Sequence, residues 1–289
     1  MKLRDDVKNA SVGIVTDSGA DLPEPLAAAY GIAVVPLEIR LGAETYLDRV
    51  DLQPAEFFRR VREENLVPKT SQPSPGAFAR VYQALAREYR SILSIHISGG
   101  FSGTCDAAAM AGRALPGADI TVFDSRSLSL GQGLQVLKAA RAARAGLGRD
   151  EILRLLEEAR AKTEVLAILN TLESLERGGR IGKVAMLLGA LLNVRPLIQV
   201  HEGRAVSIGR IRRRERAVET LLAHAASFCG RSGALLGVMH TMAAREAVEL
   251  RRRLRELLGR GAEIILAEAG PVIGAHVGPE ALALAYIPG

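Results

Sequence analysis

The segment TSQPSPG, residues 70–76, concentrates groups that could bind a polar ligand: three hydroxyls and one amide in seven residues. Its two prolines exclude a regular helix or a central strand. Two interpretations are open. Thr70 and Ser71 either form the polar wall of a binding site or are turn residues in front of a helix that Ser74 caps.

The segment ISGGFSGT, residues 97–104, places hydroxyls and glycines where a strand is expected to run into a helix. The first amides of a helix have no partner within it, so such a terminus attracts anions. Ser98, Gly100 and Ser102 are therefore candidate contacts to an anionic group. The alternative is that Ser102 only caps its own helix.

Several segments come close to enzyme signature motifs but do not match them. GGRIGK, residues 178–183, has three residues between its glycines where a phosphate-binding loop needs four, and Val follows the Lys. GFSGT, residues 100–104, has Thr where a nucleophile elbow needs Gly. His-x-x-x-His and Cys-x-x-Cys are absent. We therefore predict no catalytic residue and no metal site.

Composition indicates a globular protein, with 48% hydrophobic, 24% charged and 4% aromatic residues. Cys105 and Cys229 cannot form a disulfide framework, and the first ten residues are too polar for a signal peptide. The longest apolar run, residues 184–192, is about half of what spans a bilayer. These features predict a cytoplasmic protein without stable membrane insertion.

The net charge of +6 raises the question of nucleic acid. Arginines concentrate in residues 209–217 and 250–260, but aromatic residues for base stacking are missing there. The sequence therefore predicts no nucleic-acid partner. These arginines form either a solvated helix face or a docking patch for an acidic protein.

Strands alternate with helices in the first half, which predicts a parallel sheet covered on both faces. The predicted strands include residues 11–18, 32–41, 91–98 and 118–125. Ligands of such sheets bind at the carboxyl ends of the strands. Three polar segments lie at predicted strand ends: TDS (16–18), ISGGFSG (97–103) and FDSRS (123–127).

The second half has a different pattern, because residues 195–212 read as two strands joined by a His-Glu-Gly turn. A hairpin within an α/β pattern predicts a mixed sheet. We therefore predict an α/β protein with two α/β domains. These are a parallel-sheet N-terminal domain over residues 11–162 and a mixed-sheet C-terminal domain over residues 163–289.

Seven segments, in this order, resemble the DegV family of bacterial proteins, and together they extend over nearly the whole chain. They are IVTDSGADLP (14–23), KTSQPSPGAF (69–78), LSIHISGGFSGT (93–104), FDSRSLSLGQG (123–133), LESLERGGRIG (172–182), LLNVRPLIQVHEG (191–203) and GAHVGPEAL (274–282).

The resemblance implies two α/β domains with a lipid site between them. It implies a non-catalytic carrier that binds a long-chain fatty acid such as palmitate and uses no cofactor. The carrier would present the carboxylate to a separate ATP-dependent fatty acid kinase subunit, whose chemistry yields the acyl-phosphate.

By the same resemblance, Thr70, Ser102 and His276 are the fatty-acid-binding residues, with Ser71, Ser98 and Gly100 as additional head-group contacts. Arg180 is assigned to partner docking or transfer. A protonated His276 would add a charge-assisted bond to the carboxylate.

Two positions depart from the family pattern. The chain has Gly99 where many members have a serine, which removes a hydroxyl. It has Cys105 where a tyrosine is common, which would enlarge the pocket.

Two other functions compete with the carrier. The first is a serine-type acyl hydrolase with Ser102 as nucleophile, His276 as base, and Asp17 or Asp124 as the third member. The second is an interaction or regulatory protein that acts through its arginine-rich segments.

Overall fold

The structure is a computed structural model that describes residues 12–180, 184–185, 194–228 and 233–288. The strands are β1 (Val12–Asp17), β2 (Ala33–Val35), β3 (Glu38–Leu41), β4 (Glu44–Leu47), β5 (Lys69–Ser71), β6 (Ser91–His96), β7 (Asp119–Asp124), β8 (Glu164–Ile168), β9 (Val184–Ala185), β10 (Arg195–His201), β11 (Arg204–Ile211), β12 (Leu235–His240), β13 (Glu263–Glu268) and β14 (Leu282–Ile287).

The helices lie between these strands and cover the sheets. They are α1 (Glu24–Ala29), α2 (Pro54–Glu63), α3 (Pro75–Leu85), α4 (Thr104–Arg113), α5 (Leu130–Arg144), α6 (Arg149–Lys162), α7 (Glu173–Arg177), α8 (Arg216–Phe228), α9 (Ala244–Leu258) and α10 (Pro271–Val277).

The N-terminal sheet has the order β2-β1-β6-β7 with every pair parallel, as the strand–helix alternation predicts. Every residue of β1 and of β6 is buried, as expected of central strands covered on both faces. Phe78 and Tyr82 of α3 pack with Ala107 and Ala108 of α4 on one face. Ser74 caps α3 by accepting a hydrogen bond from Ala77 N, as predicted.

A small antiparallel sheet in the order β4-β3-β5 was not predicted. The prediction of one strand over residues 32–41 is wrong, because Pro36 separates β2 from β3 and the two strands join different sheets. Proline lacks the amide that a continuous strand would need. The small sheet matters because β5 carries Thr70, paired with Ile39 of β3.

The C-terminal sheet is mixed, with the order β13-β12-β14-β8-β10-β11-β9. β10 and β11 form the predicted antiparallel hairpin. Its turn residues Glu202 and Gly203 have φ angles of 47° and 75°, the left-handed conformation that two-residue hairpin turns require. Leu221 of α8 and Leu250 of α9 pack on one face of this sheet.

Helix α5 lies between the two large sheets and buries 11 of its 15 residues. It contacts β1 on one side and β12 and β14 on the other. One hydrophobic cluster therefore joins residues of both sheets, from Leu93 through Leu134 to Ala285. The proposed domain boundary at residue 163 falls between α6 and β8, and this shared core continues across it.

Candidate functional site

A deep cavity lies where the two large sheets and the small sheet meet. Its empty space is about 900 Å³, which includes open solvent at the mouth. Fourteen of its 20 lining residues are apolar: Leu37, Ile97, Phe101, Leu128, Val165, Ala167, Leu169, Leu175, Ile198, Val200, Ala205, Val272, Ile273 and Val277.

One wall of the cavity is a face of the C-terminal sheet. Alternate residues of a strand point to the same face, so Val165 and Ala167 of β8 both line the cavity. Their cross-strand partners on β10, Val200 and Ile198, line it too. Ala205 of β11 pairs with Val200 and extends the strip. The result is a continuous aliphatic wall three strands wide.

Loops and α10 supply further apolar lining residues. Ile97 and Phe101 lie on the turn between β6 and α4, Leu128 precedes α5, and Ile273 and Val277 belong to α10. Because these side chains are aliphatic or aromatic, they add hydrocarbon surface to the cavity beyond that of the sheet.

The six polar lining residues are Thr70, Ser71, Gln72, Ser102, Arg180 and His276. Five of them were singled out from the sequence, and the structure brings them together. Thr70 Oγ1 and His276 Nε2 are 2.8 Å apart although 206 residues separate them in the chain. The predicted head-group residues Thr70, Ser102 and His276 therefore line the same cavity.

The hydrogen bonding of His276 selects one tautomer. Its Nδ1 is buried and has no hydrogen-bond partner among the described residues. An unpaired N–H donor costs more than an unpaired acceptor, which favours a proton on Nε2. That proton is donated to Thr70 Oγ1, and the Thr70 hydroxyl can then donate its own proton to a ligand.

Burial, followed by the positive charge of Arg180, lowers the pKa of His276 to about 4. Without a bound anion this pKa leaves the ring neutral at pH 7, and a protonated His276 beside a bound carboxylate stays a prediction. An anion placed beside the ring would favour the charged form.

Arg180 lies in the cavity and supplies a fixed positive charge at its polar end. Its Nη1 donates to Gly178 O at 2.8 Å. Gly178 in turn lies against the imidazole, since a Cβ at this position would be 2.3 Å from His276 Nδ1. Only glycine at residue 178 allows the histidine this position.

Ser102 does not cap helix α4, whose N-cap residue is Gly103 and has no side-chain bond. The Ser102 hydroxyl instead lies 2.8 Å from Thr104 Oγ1. Gln72 lies beside it, because a Cβ on Gly103 would be 3.0 Å from Gln72 Nε2. This glutamine is a candidate site residue that the sequence analysis did not single out, although it lies within TSQPSPG.

Ser98 and Gly100 lie in the same turn but line a separate surface depression, together with Arg126, Glu202 and Arg204. Ser98 Oγ is turned inward and accepts from Gly100 N at 3.1 Å. A Cβ on Gly100 would be 2.4 Å from Gly203 O, so the β10–β11 turn packs directly on this glycine.

The structure shows where Gly99 and Cys105, the two departures from the family pattern, lie relative to the cavity. Gly99 N donates to Asp124 Oδ2 at 3.2 Å, outside the cavity. The Cys105 thiol points toward Ile97 O at 3.6 Å, and Cys105 is not a lining residue. The enlargement of the pocket expected from Cys105 in place of a tyrosine stays a prediction. Cys229 lies outside the described residues.

The contacts that the hydrolase alternative requires are not formed in the described structure. Ser102 bonds Thr104, and His276 bonds Thr70. Asp124 accepts from the backbone amides of Gly99 and Arg126 rather than from an imidazole.

Asp17 belongs to a different buried network. Its Oδ2 lies 2.9 Å from His96 Nδ1, and His96 Nε2 lies 2.6 Å from Ser94 Oγ. The arrangement resembles a Ser-His-Asp triad, but all three residues are 0% exposed. Asp17 also accepts from Ile97 N at 3.0 Å, so the network holds the turn that lines the cavity.

Among the described residues, Arg214, Arg252 and Arg253 of the two arginine-rich segments pair with carboxylates. Arg214 Nε donates to Glu246 Oε1 at 2.8 Å, and Arg252 pairs with Glu249 and Glu256 along α9. Both interpretations of the other arginines, a solvated helix face or a docking patch, stay open.

Two general features complete the description. Among the described residues, no three His, Cys, Asp or Glu side chains are grouped to hold a metal ion. No helix in this part of the chain is long and apolar enough to cross a membrane.

The protein has two large α/β layers that share helix α5. Between them lies an apolar cavity whose polar lining includes hydroxyls, an imidazole and a guanidinium. It is therefore an α/β protein with an internal site for a largely apolar ligand. The sequence profile described as "Uncharacterised protein, DegV family" matches residues 11–289. The chain therefore belongs to the DegV family.

Individual relatives agree with the family assignment. A DegV domain-containing protein of Deinococcus radiodurans is 36% identical over 280 residues, covering 96% of this chain and 99% of that protein. The structure of a DegV family protein from Thermus thermophilus, described as binding fatty acid, superimposes with a TM-score of 0.89 at 36% identity, covering 96% and 99% of the two chains. DegV of Bacillus subtilis, described as a fatty acid binding protein, has a TM-score of 0.89 at 30% identity, covering 97% and 100%.

Proposed function

We propose that this protein binds a long-chain fatty acid and presents it to an ATP-dependent kinase subunit for acyl-phosphate formation. The hydrocarbon tail of the fatty acid would lie along the β8–β10–β11 wall. The carboxylate of the fatty acid would lie at Thr70, Ser102 and His276. The observation that supports this most directly is the cavity itself, with 14 apolar lining residues and hydrogen-bonding side chains gathered at Thr70 and His276. Solved relatives described as binding fatty acids support the same ligand class.

Tail burial would supply most of the affinity. At about 0.8 kcal/mol per methylene, a dozen buried methylenes contribute on the order of 10 kcal/mol. Ordering of the flexible tail offsets part of that. The aliphatic strip suits this role because it offers no polar partner that a hydrocarbon would leave unsatisfied.

The carboxylate would lose water on entering the site, so it needs replacement donors. The Thr70 hydroxyl can donate because His276 Nε2–H donates to its oxygen, and Ser102 adds a second hydroxyl. Arg180 contributes positive charge nearby. None of these groups attacks the carboxylate, which is what a carrier requires and why we assign the chemistry to the partner.

Mass spectrometry of an organic extract from gently purified protein tests the binding step. We expect a stoichiometric fatty acid in the wild type and depletion in Thr70→Ala/Ser102→Ala. The matched control is Thr220→Ala/Ser227→Ala, whose hydroxyls bond carbonyls of their own helix. An empty wild type that also fails to bind added palmitate would refute the proposal.

The presentation step has a separate test with the fatty acid kinase of the same organism. We expect ATP-dependent acyl-phosphate formation from the loaded wild type. If Arg180 docks the partner or assists the transfer, the Arg180→Ala variant should still bind its fatty acid but should no longer support acyl-phosphate formation. Full transfer by loaded Arg180→Ala would remove that role from Arg180.

A further inference from the structure

Helix α10 carries His276 but has only seven residues, Pro271–Val277. An isolated helix of this length is not stable in water, because nucleation is costly and few hydrogen bonds follow. Its position therefore depends on the groups that hold its two ends and on the core beneath it.

Two buried aspartates hold the N-terminal end. Val272 N donates to Asp48 Oδ1 at 3.2 Å, and Gly270 N donates to Asp21 Oδ1 at 2.8 Å. Asp48 and Asp21 are each 1% exposed. Each carboxylate thus satisfies one of the amides that the start of α10 leaves unpaired.

Arg49 pairs with Asp21 and lies close enough to Asp48 to interact with its charge. Its Nη2 donates to Asp21 Oδ1 at 3.0 Å and also to Glu268 O, and Ser129 Oγ donates to Asp21 Oδ2 at 2.5 Å. A Cβ on Gly270 would be 2.8 Å from Arg49 Nε, so glycine is needed for the backbone to approach Arg49.

One buried hydroxyl holds the C-terminal end. Thr241 Oγ1 donates to Gly278 O at 2.7 Å and accepts from Ala281 N at 2.9 Å. Thr241 is 1% exposed, and Gly278 has a φ of 74°. The chain therefore leaves α10 through a turn whose direction the threonine sets.

The Asp48 contact comes from the end of the small sheet that also carries Thr70. Asp48 follows β4, Thr70 lies on β5, and both strands pair with β3. Val272 and Ala275 of α10 pack on the core of this sheet. The small sheet and α10, which carry Thr70 and His276, are thus joined by a second hydrogen bond, from Val272 N to Asp48.

We propose that Asp48 and Thr241 are positioning residues for the head-group site, which hold α10 at its two ends so that His276 reaches Thr70. This inference rests on the proposed fatty acid binding, which gives the His276 position its function. Neither residue lines the cavity, so each would act only through α10.

The test removes each end contact and then restores it. Asp48→Ala and Thr241→Val delete the side-chain partner, whereas Asp48→Asn keeps an acceptor oxygen and Thr241→Ser keeps the hydroxyl. We expect Asp48→Ala and Thr241→Val each to bind radiolabelled palmitate roughly tenfold more weakly, and the two conservative variants to bind like the wild type.

A second readout does not need a ligand. Imidazole ¹⁵N spectra of the full-length protein report the His276 tautomer and its hydrogen bond. We expect the Nε2–H signature in the wild type, Asp48→Asn and Thr241→Ser, and its loss in Asp48→Ala and Thr241→Val. His276→Gln assigns the resonance.

Leu254→Ala is the control for general destabilisation, because Leu254 is buried in the core between α9 and the far face of the C-terminal sheet. Leu254→Ala should keep wild-type palmitate affinity and the Nε2–H signal of His276. Equal effects in Leu254→Ala, or unchanged imidazole spectra in Asp48→Ala and Thr241→Val, would overturn the inference. If one of these two variants fails to fold, the other decides. A wild type that binds no palmitate refutes the proposed function, while the spectra still decide the positioning role.

Discussion

At the scale of single residues, His276 shows how burial and charge decide what a side chain can do. The ring is enclosed against Gly178 and lies near Arg180, and both effects oppose its protonation. In the protein without a bound anion, the neutral imidazole donates through Nε2 and orients the Thr70 hydroxyl. The positive charge in the site comes from Arg180.

We predict that Arg180→Ala raises the pKa of His276 from its value of about 4. Removal of a nearby positive charge favours the protonated ring, but burial is the larger cause and remains, so the pKa should stay below its ordinary value of 6.5. An NMR pH titration of the imidazole measures this. Arg177→Ala is the control, since Arg177 is exposed and pairs with Glu173; an unchanged pKa in Arg180→Ala would contradict the prediction.

Asp48 provides a second prediction, on the pH dependence of stability. Burial raises its pKa from 3.8 to about 6. Between these values the folded protein binds more protons than the unfolded chain, so this group makes the free energy of unfolding fall as pH rises from about 4 to about 6. Two pKa units correspond to on the order of 3 kcal/mol.

The measurement is urea denaturation at several pH values between 4 and 7. Asp48→Asn should remove this part of the slope and be more stable than the wild type at pH 7. Asp51→Asn, at an exposed carboxylate, should leave the slope in place. Parallel curves for the wild type and Asp48→Asn would show that Asp48 does not titrate in this range.

At the scale of elements, the site depends on short segments that bring backbone close to side chains. Helix α7 ends at Gly178, which leaves room for His276, and α10 lies against α2, where a Cβ on Gly274 would be 2.8 Å from Phe58 Cζ. The β5 strand is only three residues long, yet its pairing with β3 aims Thr70 at α10. None of these segments would be stable alone.

We predict that Gly178→Ala weakens fatty acid binding by about tenfold or more, because the new methyl would be 2.3 Å from His276 Nδ1 and must displace the ring. Equilibrium dialysis with palmitate measures the affinity. Gly117→Ala is the matched control, as a Cβ there has nothing within 4 Å. Wild-type affinity in Gly178→Ala would show that the ring position is not needed for binding.

At the scale of the whole molecule, helix α5 makes the two large sheets one structure. Gly237 of β12 approaches Leu130 so closely that a Cβ would be 2.6 Å from its side chain. The shared core runs through Leu134 and Leu137, both fully buried. The cavity is consequently built from parts that cannot separate without exposing that core.

We predict that Leu134→Ala lowers the free energy of unfolding by about 2–5 kcal/mol and that both sheets unfold together. Hydrogen exchange followed by mass spectrometry should show the same loss of protection in β6 and β12 peptides. Met110→Ala, at a side chain that is largely exposed, is the control. Loss of protection in β6 alone would mean that the sheets unfold independently.

Local pattern was enough to predict much of this architecture. The strand–helix alternation predicts the parallel sheet, the His-Glu-Gly turn predicts the hairpin, and Ser74 before Pro75 predicts the start of α3. These features depend on residues close together in the chain, where propensity and hydrogen bonding act locally. The resemblance of seven segments led to Thr70, Ser102 and His276.

The arrangement of the site required the tertiary structure. Both faces of β8 are apolar, with Val165 and Ala167 on one and Leu166 and Ile168 on the other, so alternation cannot tell which face lines a cavity and which packs under helices. Ser98 and Ser102 lie four residues apart, yet only Ser102 reaches the cavity. The Thr70–His276 bond joins residues 206 positions apart. Contacts of this kind form only when distant elements pack together, because the free energy of burial depends on which surfaces meet and not on the order of residues along the chain.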